Sequence, residues 1–149
     1  MREQATVILL VEDNANDVEL TLAEFKRHNL SNEIHVVRDG ATALEYIFCT
    51  GAYAERRGAK DPKVILLDLN LPKVDGLEVL RRIKENPVTR TIPVVVLTSS
   101  SKERDMVKSY DLGAHSYIDK PVDFEQFVES MRQIGLYWLL LDDPRVPQG

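Results

Sequence analysis

Val64-Ile65-Leu66-Leu67-Asp68-Leu69-Asn70-Leu71-Pro72 runs four apolar residues directly into a carboxylate, with an amide two positions on and a proline two beyond that. A short unbroken run of β-branched residues and leucine, bounded by polar residues and proline, reads as a strand buried on both faces, as in a parallel sheet covered by helices. Asp68 then sits just past the strand's carboxyl end, in the crevice where open α/β sheets bind their ligands. A charge there is better placed for chemistry than for packing.

The same punctuation recurs on both sides. Upstream, Thr6-Val-Ile-Leu-Leu-Val11 is a second buried strand, closed by Glu12-Asp13-Asn14. Asn14 or Asn16 can cap a helix striped by Val18, Leu22 and Phe25 through about His28. Leu30 to Glu33 leads to the short strand Ile34–Val37, with His35 facing solvent or a helix, and Arg38-Asp39-Gly40 turns into a helix carrying Ala43, Leu44 and Ile47. From Thr50 to Pro62 the periodicity is lost and Gly51, Gly58, Pro62 and several charges gather, which reads as an extended surface loop, longer than usual for such a connection.

Downstream, Lys73 to Gly76 is a turn, and Leu77, Leu80 and Ile83 stripe a helix that ends near Asn86-Pro87. Ile92 to Leu97 is the fourth strand, ended by Thr98. A helix from Lys102 to about Leu112 follows, with Met106, Val107 and Tyr110 as its apolar, mostly core positions and Gly113 after it. Ser116 to Asp119 is a fifth short strand running into Lys120-Pro121. Asp123 caps a last helix striped by Phe124, Phe127, Met131, Ile134 and Trp138, and Asp142-Asp143-Pro144 stops it.

Strand followed by helix, five times over, predicts an α/β protein: a five-stranded parallel sheet with right-handed crossovers and helices on both faces. The order 2-1-3-4-5, the flavodoxin-like arrangement, sets strands one and three side by side at the switch point. The 149 residues fit one domain, with a core over about residues 6–141 and too little chain after Asp143 for an output domain. A formal net charge of −5 without a dense basic block argues against nucleic acid as a partner. Cys49 is the only cysteine, and no apolar run is long enough for a signal peptide or a membrane span, so a cytoplasmic protein is expected.

If strands one and three are neighbours, Glu12, Asp13 and Asp68 meet in one crevice, while Thr98 and Lys120 arrive from strands four and five. Two unit charges about 4 Å apart repel by roughly 4 kcal/mol at an effective dielectric of 20, so such a cluster calls for a counter-ion. Oxygen ligands with no His or Cys nearby favour Mg²⁺. A carboxylate can accept a phosphoryl group as a nucleophile, and phosphoryl transfer needs positioning and charge neutralisation above all. Mg²⁺, the Lys120 ammonium and the Thr98 hydroxyl would each meet one phosphoryl oxygen. Singly these residues have ordinary explanations as caps, turn residues or solvated charges. Three acids, a hydroxyl and a lysine ending parallel strands at one edge do not.

Glu12-Asp13, Asp68, Thr98, Tyr117 and Lys120-Pro121 together resemble the receiver domains of two-component response regulators, over a stretch from Val7 to about Trp138. The resemblance implies that Asp68 takes a phosphoryl group from a histidine kinase, with Mg²⁺ held by Asp13, Asp68 and the Asn70 main-chain carbonyl and with Glu12 acting through water. It implies that Thr98 and Tyr117 are the switch residues, that the signal leaves by the face of the fourth helix, fifth strand and fifth helix, and that the Lys120–Pro121 bond is cis. Glu12 stands where Asp is commoner, and the 50–62 loop is absent from minimal receivers. That loop, the wording from Asp68 to Pro72 and the ending Ile134-Gly-Leu-Tyr-Trp-Leu look similar to single-domain regulators paired with bacterial phytochromes. The implied partners are a sensor histidine kinase of phytochrome type and a downstream phosphotransfer protein or regulator. Leu139-Leu140-Leu141 extends apolar character beyond one buried face, which points to a homodimer.

Three other functions share parts of this pattern. A flavodoxin-like cofactor carrier would want Gly and hydroxyl donors after the first strand, where Glu12-Asp13 would repel a phosphate. An aspartate-nucleophile phosphatase would want an acid where Asn70 stands. A phosphorylation-independent adaptor of the same fold is the main alternative.

Overall fold

The computed structural model describes residues 7–28, 30, 33–58, 61–110 and 113–135. Five strands, β1 (Val7–Val11), β2 (Glu33–Val37), β3 (Val64–Asp68), β4 (Val94–Thr98) and β5 (Ser116–Asp119), alternate with helices α1 (Ala15–Arg27), α2 (Gly40–Phe48), α3 (Gly76–Glu85), α4 (Ser101–Tyr110) and α5 (Phe124–Gln133). The sheet order is β2-β1-β3-β4-β5, and every neighbouring pair is parallel. This is the predicted doubly wound arrangement.

Alternation along the strands decides which helix packs where, because successive side chains point to opposite faces. Leu9, Val11, Ile65, Leu67, Val94 and Val96 face one way and are covered by Ala43, Leu44 and Ile47 of α2, Val79, Leu80 and Ile83 of α3, and Val107 of α4. Ile8, Leu10, Val64, Leu66, Val95 and Leu97 face the other way, against Val18 and Phe25 of α1 and Phe127 and Met131 of α5. Each such buried side chain contributes about 1.5–3 kcal/mol relative to exposure, so both layers are strongly specified. Asn14, Asp39, Asp75 and Asp123 cap α1, α2, α3 and α5, each accepting from a main-chain N–H of the first turn.

Four expectations change. The last helix, read through Ile134 and Trp138, ends at Gln133, with Ile134 as its C-cap and Gly135 at φ 77°. Asp68 is the last residue of β3 rather than a residue past its end. The 50–62 stretch is not wholly loop: Gly51–Arg56 forms a 3₁₀ helix that folds back on α2. There the Arg56 guanidinium lies 3.8 Å over the Tyr46 ring and donates to the Tyr46 carbonyl at 2.5 Å, while His35 stacks on Tyr46 and meets the Tyr53 hydroxyl at 3.2 Å. His35 therefore faces a helix. Met106 is 39% exposed while Val107 beside it is buried, so Met106 is not the core position that the stripe predicts. The Tyr110 side chain, Leu112, Trp138, Leu139–Leu141 and the Asp142-Asp143-Pro144 stop lie outside the described residues. No helix among the described residues is long and apolar enough to cross a membrane.

At the opposite edge of the sheet from the acidic residues, the Lys84 ammonium donates to the main-chain oxygens of Arg90 at 3.0 Å and Ile92 at 2.7 Å. Burial pulls its pKa down from 10.5 to about 8. A lowered folded-state pKa favours the neutral amine, so the stability tied to this group is present above 10.5 and lost as pH falls through about 8. Lys84→Met should therefore gain on the wild type as pH is lowered across that window. Thermal midpoints of both proteins read this; a pH-independent difference between them would contradict it.

Candidate functional site

The strand register assembles the acidic crevice. Val11 pairs with Leu67, so the next residues along, Glu12 and Asp68, come side by side. Asp68 in turn pairs with Leu97, one residue before Thr98, and Thr98 pairs with Asp119, one residue before Lys120. Glu12 is 1% exposed and Asp68 2% exposed, which is expensive for carboxylates unless they are paired.

Their partner is Lys120. Its Nζ lies 3.2 Å from Glu12 Oε1, 3.2 Å from Asp68 Oδ2 and 3.2 Å from Asp17 Oδ2. Burial by itself would lower the Lys120 pKa, but the Asp68 and Glu12 carboxylates outweigh it and hold the ammonium charged. The Lys120–Pro121 bond is cis. Glu12 is pushed the other way: burial first, then the hydrogen bond to Asp68 and the Asp68 charge, raise it to about 7, against the opposing pull of the Asn14 N–H and Lys120. One ammonium is shared by three carboxylates, and the two deepest repel.

The remaining residues lie around this core. Thr98 is fully buried, and its hydroxyl donates to Asp119 Oδ1 at 3.0 Å rather than to Asp68. Asp13 is exposed at the mouth. Asn70, also exposed, has its main-chain N–H 3.3 Å from Asp68 Oδ1, and its side-chain amide donates to Glu103 Oε2 at 2.8 Å. Tyr117 is half-buried against the α2–α3–α4 layer and lines a cleft of about 230 Å³ with Asp119, Gln126, Glu129, Ser130 and Gln133.

The loop carrying Asn70 is held tightly. Gly76 N–H donates to the Leu69 carbonyl at 3.0 Å, and a Cβ at Gly76 would lie 2.5 Å from the Asp68 carbonyl oxygen, so only glycine lets the start of α3 press this closely on the end of β3.

Among the described residues no three His, Cys, Asp or Glu side chains gather closely enough to hold an ion by themselves. The reason is visible in the geometry: the Lys120 ammonium, not open space, lies among Glu12, Asp17 and Asp68. The donor set still suits a hard divalent cation, because it is all oxygen, it sets three carboxyl groups against one ammonium, and Mg²⁺ needs only one or two carboxylates while keeping its waters. Asp17, Asp119 and Glu103 are the neighbours that the sequence reading did not single out.

Comparison with known proteins points in one direction. Residues 8–132 match the family model described as the response regulator receiver domain. The chain is 42% identical over 137 residues to the probable methanogenesis regulatory protein FilR2 of Methanothrix harundinacea, covering 92% of this chain and 86% of that one. It is 41% identical over 133 residues to the response regulator Rcp1 of Synechocystis, covering 89% and 88%, and the Mn²⁺-bound crystal structure of Rcp1 matches with a TM-score of 0.70 at 38% identity over 96% of this chain and 99% of that one. The bacteriophytochrome response regulator AtBRR is 50% identical, with a TM-score of 0.87 over 95% of this chain and 100% of that one.

Proposed function

The chain belongs to the response regulator receiver domain family, and from that premise we propose that Asp68 accepts a phosphoryl group from the phosphohistidine of a sensor kinase in a Mg²⁺-dependent reaction. The observation that carries this reading is the pair Asp68 and Lys120, a buried carboxylate at the end of β3 with an ammonium 3.2 Å from it. An Asp68 oxygen attacks phosphorus, the phosphorus–nitrogen bond to histidine breaks, and the imidazole leaves with the electron pair. The phosphoryl group arrives with negative charge on its oxygens, and Lys120 is already charged and in reach of one of them. For Thr98 to reach another, its hydroxyl must leave Asp119.

Asp13, Asp68 and the Asn70 carbonyl are the groups that would hold Mg²⁺, with Glu12 supporting them. Bound there, the ion would neutralise part of the phosphoryl charge and offset the repulsion between Glu12 and Asp68. The crystallised Mn²⁺-bound form of Rcp1 supports a divalent ion in this family. Asn70 supports a phosphoacceptor over an aspartate-nucleophile phosphatase, because an amide cannot protonate a leaving group.

The kinase we infer is of phytochrome type, on the 50% identity to a bacteriophytochrome response regulator and the 3₁₀ insertion after α2. Thr98 and Tyr117 are the inferred switch, since they lie on neighbouring strands whose outer side is the α4–β5–α5 face, and that face would meet a phosphotransfer protein or another regulator. Self-association through residues 139–141 belongs to the same reading. Incubation with acetyl phosphate and Mg²⁺ should add one phosphoryl mass to the intact protein, and chelation by EDTA should abolish it. A wild type that takes no phosphoryl group would favour a phosphorylation-independent adaptor.

A further inference from the structure

Glu103 makes contacts that capping alone does not require. It is the third residue of α4, and its main-chain N–H donates to Ser100 Oγ at 3.3 Å. Its Oε1 reaches back to accept from the Ser99 N–H at 2.8 Å and from Ser99 Oγ at 3.1 Å. This is a reciprocal capping arrangement displaced by one residue, and it uses one carboxylate oxygen. The other oxygen, Oε2, accepts from the Asn70 side-chain amide at 2.8 Å, thirty-three positions away in the chain. Asn70 in turn has its N–H on Asp68 Oδ1. An unbroken path of hydrogen bonds thus joins Asp68 to the first turn of α4 without passing through Thr98.

We propose that Glu103 is a positioning residue that ties the Asp68 loop to the start of α4, so that a phosphoryl group on Asp68 is felt at α4 through Asn70 and Glu103 as well as through Thr98. The inference rests on Asp68 being the phosphoacceptor. A phosphoryl group adds negative charge and acceptor oxygens beside the Asn70 N–H, while the Glu103 carboxylate holds the other end of the same residue. Whatever moves the Asn70 amide changes the Glu103 side chain, and through it the Ser99 N–H that precedes α4. Since Ser99 also follows Thr98, the two routes converge on one peptide.

Glu103→Ala removes the Ser99 half of the cap together with the tether, whereas Ser100→Ala removes the Ser100 half and leaves the tether. Glu103→Gln keeps an oxygen for Ser99 and offers its amide to Asn70, which restores the tether if the Asn70 amide turns over. Each protein is brought to the same phosphoryl occupancy with acetyl phosphate and Mg²⁺, verified by intact mass, and amide hydrogen exchange of residues 101–107 is compared with the unlabelled protein. Coupling between sites typically amounts to about fivefold or more, so losing one of two routes should shrink the phosphorylation-dependent change at α4 by about twofold or more in Glu103→Ala. Ser100→Ala and Glu103→Gln should keep the wild-type change. A wild-type change in Glu103→Ala, or an equal loss in Ser100→Ala, overturns the proposal. So does a labelled wild type in which α4 does not respond. A wild type that takes no phosphoryl group, seen by mass before any exchange is measured, overturns the phosphoacceptor reading itself.

Discussion

Asp68→Asn should take no phosphoryl group from acetyl phosphate and Mg²⁺, and its thermal midpoint should rise. The first effect follows from chemistry: a carboxamide oxygen is not the anionic nucleophile that a carboxylate is, and no other acid occupies the end of β3. The second follows from the crowding of Glu12 and Asp68, both nearly inaccessible to solvent and close enough for Asp68 to add to burial in raising the proton affinity of Glu12. Asparagine keeps the shape, removes one negative charge, and can donate from its amide to Glu12 while Lys120 retains Glu12 and Asp17. In a chain of this size each kcal/mol of relieved repulsion is worth about 2–4 °C. Intact mass and calorimetry read the two effects separately. Undiminished labelling would remove Asp68 from the acceptor role, and a lowered midpoint would mean that the two carboxylates do not strain each other.

Lys120→Ala should be the most damaging single change at the site. It leaves Glu12 and Asp68 buried without their counter-charge, and breaking a buried ion pair from one side costs about 3–5 kcal/mol. The loss should depend on pH. Glu12 already has a raised folded-state pKa, near 7, so the stability linked to it is full below the ordinary carboxylate range and is lost as pH rises through about 7. Without Lys120 that decline steepens, so the variant should lie nearest the wild type at low pH and furthest from it above neutrality. Added Mg²⁺ should recover part of the difference by binding the folded state. Labelling should slow by about 10²–10³-fold, as expected when one charge-stabilising donor is removed. Urea midpoints at acid and alkaline pH, with and without Mg²⁺, measure the stability side. Equal midpoints for variant and wild type above neutrality would show that the three carboxylates do not depend on this ammonium.

Glu12, Asp68 and Lys120 are legible in the sequence because each stands at the last position of a strand or immediately after it, two of them after uninterrupted apolar runs, and parallel strands deliver such residues to one edge whatever the loops do. Thr98 is legible for the same reason, though not the Asp119 carboxylate to which its hydroxyl is turned. Asp17 and Glu103 are not legible. An acid in the first turn of a helix has an ordinary role with the helix dipole, and nothing local distinguishes one that also reaches a residue 103 or 33 positions away. The 3₁₀ helix after α2 escapes for a different reason. Six residues are too few to establish a period, and what orders Gly51–Arg56 is the packing of Tyr53 and Arg56 around Tyr46, which only the folded chain brings together. The exposure of Met106 shows the limit of an apolar stripe, which does not say how wide the buried face is.

The alternation of β3 between two layers makes the strand a ruler with a parity. Ile65 and Leu67 belong to the layer under α2, α3 and α4, and Val64 and Leu66 to the layer under α1 and α5. Inserting or deleting one residue between Val64 and Asp68 would exchange the two layers for every residue beyond the change, and would shift the Asp68 carboxylate by one strand position away from Glu12 and Lys120. This strand should tolerate change of composition far better than change of count, so its length is as much a part of the candidate site as the carboxylate at its end.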